Sequence, residues 1–148
     1  MEFSMKPIGV IHTPFKEAAG MPIQSSRSTA LGEIEVFPEY VAGLESIDEL
    51  SDLILIYVFH EALKSPDLMV KPFLDNHEHG IFATRFYKRP NPIGISVVRL
   101  LERSGSRLKI QQVDMLDGTP LLDIKPYVPE FDIRAVEKLG WYGTRAHP

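Results

Sequence analysis

Residues 52–59 read DLILIYVF, seven apolar residues in a row after Asp52. A run of that length is far short of the roughly 18–20 residues that a membrane-crossing helix needs. It suits a buried strand instead, and being apolar on both faces it reads as central to a sheet. The neighbouring segments have the same β character. Lys6–His12 carries Ile8, Val10 and Ile11. Gly32–Phe37 alternates, with Ile34 and Val36 on one face and Glu33 and Glu35 on the other, as a half-exposed strand does. Gly80–Thr84, Ile95–Arg103, Arg107–Asp114 and Leu121–Ile124 continue the series, and Ser104-Gly105-Ser106 joins two of them as a hairpin.

The expected fold is therefore mainly β. It is an antiparallel β-barrel of about six to seven strands with one or two short helices. No strand–helix–strand alternation is visible, which argues against a Rossmann-like parallel sheet. One helix is expected over Pro38–Leu50, where Val41, Leu44 and Ile47 recur every three residues behind a proline suited to a first turn. A second is expected over Asp132–Leu139, with Asp132 as N-cap, Ile133, Val136 and Leu139 as a stripe, and Gly140 as terminator.

The chain has 148 residues, which suits a single domain over 1–148 with its own core. There is no cysteine, which excludes disulfides, thiol nucleophiles and thiolate-held metal clusters. The N-terminus lacks a basic region followed by a long apolar one, so a cytoplasmic protein without a membrane anchor is expected. Net charge is −4 and unevenly spread. Glu33 to Asp52 holds seven acids and no base, and Arg85 to Lys109 holds seven bases against Glu102 alone. An acidic total argues against nonspecific coating of DNA, whereas a local basic stretch suits a phosphate-rich partner or an ordinary solvated face.

Three segments combine polar groups with stiff backbone. Residues 80–96, GIFATRFYKRPNPIGIS, place Arg85, Lys88, Arg89 and Asn91 on a proline-rich loop. Residues 114–120, DMLDGTP, place Asp114, Asp117 and Thr119 around a turn. Residues 57–61, YVFHE, end a strand in His60-Glu61. No glycine-rich dinucleotide or triphosphate loop and no nucleophile elbow is present. His77-Glu78-His79 lacks a third ligand at good spacing, so no metal site is expected.

Taken together these stretches resemble the TrmO/YaeB (TsaA-like) family. The resemblance runs through IGVIHTPF (8–15), PIQ (22–24), GEIEVFPEYVAGLESID (32–48), LILIYVFHE (53–61), ATRFYKRPNPIGIS (83–96) and DMLDGTPLLDIKPYVP (114–129). It implies an S-adenosylmethionine-dependent methyltransferase on a β-barrel, acting on N6 of N6-threonylcarbamoyladenosine beside the anticodon of tRNA. It also implies a homodimer. The cofactor-binding positions it implies are Gln24, Ser25, Ser26, Arg27, His60, Glu61, Arg85, Ile95, Met115, Leu116, Asp117 and Gly118. Two departures stand out: PIQSSR in the first loop, and Phe86-Tyr87-Lys88 where smaller residues are common.

The residue chemistry agrees with such a role. Arg85 suits a bidentate grip on the cofactor carboxylate. An exocyclic adenine nitrogen is a poor nucleophile, and an acceptor aligned with its N–H would help. Asp114, Asn91 or a backbone carbonyl of the Asn91-Pro92 turn would serve as that catalytic group. Lys88, Arg89, Arg99 and Lys125 are the expected RNA contacts. The competing expectations are a cofactor- or RNA-binding module without catalysis, and a methyltransferase for a non-RNA acceptor.

Overall fold

The computed structural model describes residues 1–17, 21–22, 28–62 and 66–145. In chain order the strands among them are β1 (Gly9–His12), β2 (Leu31–Val36), β3 (Asp52–Val58), β4 (Met69–Val70), β5 (His79–Gly80), β6 (Ile93–Ser104), β7 (Arg107–Gln111) and β8 (Thr119–Pro126). The chain divides into two compact units, one of Met1–His60 with Ile93–Tyr127, the other of Glu61–Pro92 with Val128–Pro148.

The first unit is a closed six-stranded barrel in the order β1-β2-β7-β6-β3-β8. Every pairing in it is antiparallel. The DLILIYVF stretch sits between two partners. Leu53 faces Val98 on β6 and Pro126 on β8. Its odd positions Leu53, Leu55 and Tyr57 point into the barrel and are buried, while Ile54 and Ile56 lie half-buried on the outer face. The alternation expected for β2 is observed, with Ile34 and Val36 inside.

Ile11, Ile34, Leu53, Leu55, Val98, Leu108, Ile110, Val113 and Leu121 are all at 0% exposure and fill the barrel. Closing the sheet removes every free edge, so β-branched and leucine side chains of all six strands share one core. The β6–β7 hairpin turns at Gly105, whose φ of 60 needs a residue without Cβ strain.

Two expected helices are not formed. Over Pro38–Leu50 the chain makes two 3₁₀ turns, Pro38–Leu44 and Ile47–Glu49. The break falls at Ser46, whose φ is 70. A three-residue apolar spacing is the 3₁₀ period, so Leu44 and Ile47 still reach the core. Over Asp132–Leu139 no helix is present. A single turn α1, Pro129–Asp132, forms instead, and the Asp132 carboxylate accepts the Val128 N–H at 2.8 Å. Asp132 thus caps the preceding turn rather than starting a new helix. Ile133, Val136 and Leu139 remain exposed.

The second unit holds the β4–β5 hairpin, α1 and a 3₁₀ turn at Gly140–Gly143. The expected strand Gly80–Thr84 is only begun by β5. A 3₁₀ turn, Ile81–Ala83, follows, and Thr84 Oγ1 donates back to the Ile81 carbonyl at 2.9 Å. That side-chain bond competes with extension.

Candidate functional site

In the barrel unit a buried hydroxyl relay ends on a carboxylate. Ser96 lies on β6 and Tyr57 on β3, both facing inward. Ser96 Oγ donates to Asp114 Oδ1 at 2.6 Å. Tyr57 Oη lies 2.9 Å from Ser96 Oγ. The one serine proton is committed to Asp114, so the tyrosine must donate to the serine. Asp114 follows β7 and is half-buried. Hydrogen bonds donated to a carboxylate favour its charged form and fix its orientation. Tyr57 and Ser96 were not among the site residues expected from sequence. The only sequence signal for them is a pair of hydroxyls at inward positions of apolar strands.

The rest of the DMLDGTP segment is tied to the start of the chain. Thr13 Oγ1 donates to the Met115 carbonyl at 2.8 Å. The Thr13 N–H donates to Asp117 Oδ1 at 2.9 Å, and Lys16 Nζ donates to Asp117 Oδ2 at 2.6 Å. The lysine bond, then the threonine amide, holds the Asp117 carboxyl below its ordinary range. Gly118 turns with φ 82, and its N–H donates to the Ile11 carbonyl at 2.9 Å. The Met115 side chain is part of the core at 3% exposure. Leu116 is half-buried, and its carbonyl accepts the Thr119 hydroxyl at 2.6 Å.

Beside this turn, His12, Thr13, Lys16, Glu33, Arg107 and Asp117 line part of a cleft of about 750 Å³. Several of its charges are paired with one another. Arg107 meets Glu33 at 2.8 Å and Glu35 at 3.7 Å, and His12 meets Glu35 at 3.0 Å. The histidine bond, then the Arg107 charge, lowers the Glu35 pKa.

Arg99 and Lys125 sit on the strands flanking β3, each exposed and each beside an acid. Arg99 lies 3.4 Å from Asp52, and Lys125 lies 3.0 Å from Asp123. Ile95 is on the outer face of β6, opposite Ile56, at 51% exposure. His60 begins the 3₁₀ turn His60–Ala62 and is half-buried, and Glu61 is exposed. Gln24, Ser25, Ser26 and Arg27 lie outside the described residues.

In the second unit Arg85 and Asn91 are exposed, and Lys88 and Arg89 are half-buried. Arg89 Nη1 donates to the Thr84 and Phe86 carbonyls, both at 2.8 Å, and so braces its own loop. The Lys88 carbonyl accepts the Asp67 N–H at 2.9 Å. The Phe86 and Tyr87 rings pack together with centroids 4.5 Å apart. His79 of the His-Glu-His stretch is hydrogen-bonded to Asp75. Among the described residues no group of three or more potential metal ligands is assembled.

Residues 10–133 match the family described as the tRNA-methyltransferase O N-terminal domain. A probable S-adenosyl-L-methionine-binding protein of Pyrococcus abyssi is 57% identical over 96% of this chain and 77% of its own length. The tRNA (adenine(37)-N6)-methyltransferase of Escherichia coli K12 is 38% identical over 86% of this chain. A crystal structure of TrmO from Pseudomonas aeruginosa superposes with a TM-score of 0.80 at 40% identity, covering 95% of this chain. The chain spans 58% of the length of the Escherichia coli enzyme and 63% of that crystallised chain. Sequence, barrel topology and structural likeness agree, and the chain belongs to the TrmO family.

Proposed function

We propose that the protein transfers the methyl group of S-adenosylmethionine to N6 of N6-threonylcarbamoyladenosine, adjacent to the anticodon of tRNA. The observation that carries this reading is the Asp114 carboxylate, held by Ser96 and Tyr57 in a chain of this family. The reading takes the enzyme to be cytoplasmic and a homodimer.

Taken one by one, the proposed residues have chemistries that suit parts of the cofactor. The exposed Arg85 guanidinium matches a carboxylate. Glu61 and Asp117 supply acceptors for an ammonium and for ribose hydroxyls, and Leu116 supplies apolar surface for an adenine. His60, with Gln24, Ser25, Ser26 and Arg27, would complete the proposed binding set. When bound, the sulfonium presents an activated methyl group with a neutral thioether as leaving group. Alignment then supplies most of the acceleration.

Asp114 acts on the acceptor side. Its carboxylate accepts the hydrogen bond of the N6–H, which directs the nitrogen lone pair toward the methyl carbon. As the N–C bond forms and the S–C bond breaks, the N6 proton passes to Asp114 and then to water. Ser96, backed by Tyr57, fixes the orientation of the carboxylate that receives this proton. Asn91 is the second candidate for the same acceptor role. Lys88, Arg89, Arg99 and Lys125 are the proposed RNA contacts, and Phe86 with Tyr87 offers aromatic surface for a splayed base.

The relative from Pyrococcus abyssi is named for cofactor binding alone, so the competing reading is a binding module without catalysis. The test is transfer of labelled methyl into tRNA, followed by nucleoside analysis. Substrate tRNA is compared with tRNA from cells unable to add the threonylcarbamoyl group. Label confined to the modified adenosine is the expected result. No label in either tRNA, with cofactor binding retained, would establish the binding module.

A further inference from the structure

We propose that residues 140–145 form a clamp that sets the conformation of the Arg85 turn, with Trp141 and Tyr142 as positioning residues for the cofactor-binding guanidinium. The inference rests on the role given to Arg85 above. Two hydrogen bonds with this segment flank Thr84, the residue before Arg85. Trp141 Nε1 donates to the Ala83 carbonyl at 2.8 Å, and the Arg85 N–H donates to the Tyr142 hydroxyl oxygen at 3.1 Å. Together they fix the backbone on both sides of Thr84, which is extended with φ −135 and ψ 167. The direction of the Arg85 Cα–Cβ bond follows from those torsions.

The clamp is itself braced. The Trp141 ring stacks on Tyr142 with centroids 3.9 Å apart, and on His79 with centroids 5.4 Å apart at 18° between planes. His79 is hydrogen-bonded to Asp75 in the same unit. The Arg145 guanidinium carbon lies 5.3 Å from the Tyr142 ring centre. Two partly exposed hydrogen bonds alone would hold a loop weakly. A continuous stack of ring, ring, ring and guanidinium gives them a fixed anchor.

The segment that matches the family ends at residue 133. The clamp residues lie beyond it, in the second unit. The clamp grips the turn in addition to the brace that Arg89 supplies from within the loop. A long flexible side chain gains affinity when its root is held, because less motion is lost on binding.

The test uses the full chain carrying both Trp141→Phe and Tyr142→Phe. Each change keeps a ring in the stack and removes one hydrogen bond to the turn, so the fold should survive, as circular dichroism would verify. Calorimetry should give about tenfold weaker binding of S-adenosylmethionine, with kcat at saturating cofactor within about twofold. In an Arg85→Ala background the same pair should add no further loss. Unchanged affinity in the double variant, while Arg85→Ala alone weakens binding, overturns the clamp and leaves the role of Arg85 intact. Additive losses also overturn it, because the segment would then act through some other group. If Arg85→Ala leaves affinity unchanged, the assigned role of Arg85 falls and the clamp falls with it. His79→Ala, which loosens the stack without touching either hydrogen bond, should weaken binding in the same direction by a smaller factor.

Discussion

Ser96 Oγ donates to Asp114 Oδ1 at 2.6 Å from a strand position that is only 4% exposed. A buried serine on an otherwise apolar inner face carries a desolvation cost unless it is paired. Here it is paired on both sides, with Tyr57 behind it and the carboxylate ahead. The relay therefore fixes a charge at the barrel wall.

Asp114→Asn should reduce kcat by about two orders of magnitude while leaving cofactor affinity nearly intact, the range ordinary for losing a positioned proton acceptor. Ser96→Ala should lower kcat less, because the carboxylate stays but loses the donor that fixes its orientation. Single-turnover methylation across pH 5–8 would check both. Wild-type rates in Asp114→Asn would remove this residue from the reaction and leave Asn91 as the acceptor to test.

Gly94 lies directly across from Tyr57 in the β3–β6 register. A Cβ there would fall 2.4 Å and 2.6 Å from Tyr57 ring carbons and 2.8 Å from Phe59. The ring is buried and cannot swing clear without leaving Ser96. Gly94→Ala should therefore cost about 1–3 kcal/mol of stability and slow methyl transfer together. Thermal unfolding beside the methylation assay would test the coupling. A variant as stable and as active as wild type would show that the ring relaxes freely.

Leu55 is fully enclosed in the barrel. Its replacement by Ala should cost about 2–5 kcal/mol, read by chemical denaturation. A loss under about 1 kcal/mol would mean that the barrel collapses around the gap.

Which parts of this were legible in the sequence follows from how local each signal is. The DLILIYVF stretch announced a strand with neighbours on both sides because its even and odd positions are both apolar. The alternation of Ile34 and Val36 with Glu33 and Glu35 announced an inside and an outside. The three-residue spacing of Val41, Leu44 and Ile47 fits a 3₁₀ turn as well as a helix, and only the left-handed backbone at Ser46 separates them. The two opposed charge blocks also have a tertiary explanation. Pairing of β2 with β7 brings Glu33 and Glu35 to Arg107, and pairing of β3 with β6 brings Asp52 to Arg99. Two of the seven bases, Arg99 and Arg107, are thus met by acids, as a composition count cannot reveal. The relay through Ser96 and the contacts of Trp141 join residues tens of positions apart, so no local pattern could supply them.

Acid should dismantle the Trp141 stack in a defined window. The hydrogen bond from His79, then that from the Asn76 N–H, holds the Asp75 carboxyl below its ordinary value of 3.8. A group whose pKa is lower folded than unfolded stabilises the fold above the unfolded value. That contribution is lost as pH falls through the folded value. The Asp75–His79 pair should therefore stay intact at neutral pH and begin to fail only below about pH 4. Trp141 is the sole tryptophan, and His79 stacks on its ring, so its fluorescence reports the loss directly. Emission should therefore change as pH falls below about 4. Asp75→Asn should abolish the change below pH 4 and show altered emission already at neutral pH. An emission profile identical in the two proteins would mean that Asp75 does not hold His79 against the indole in solution.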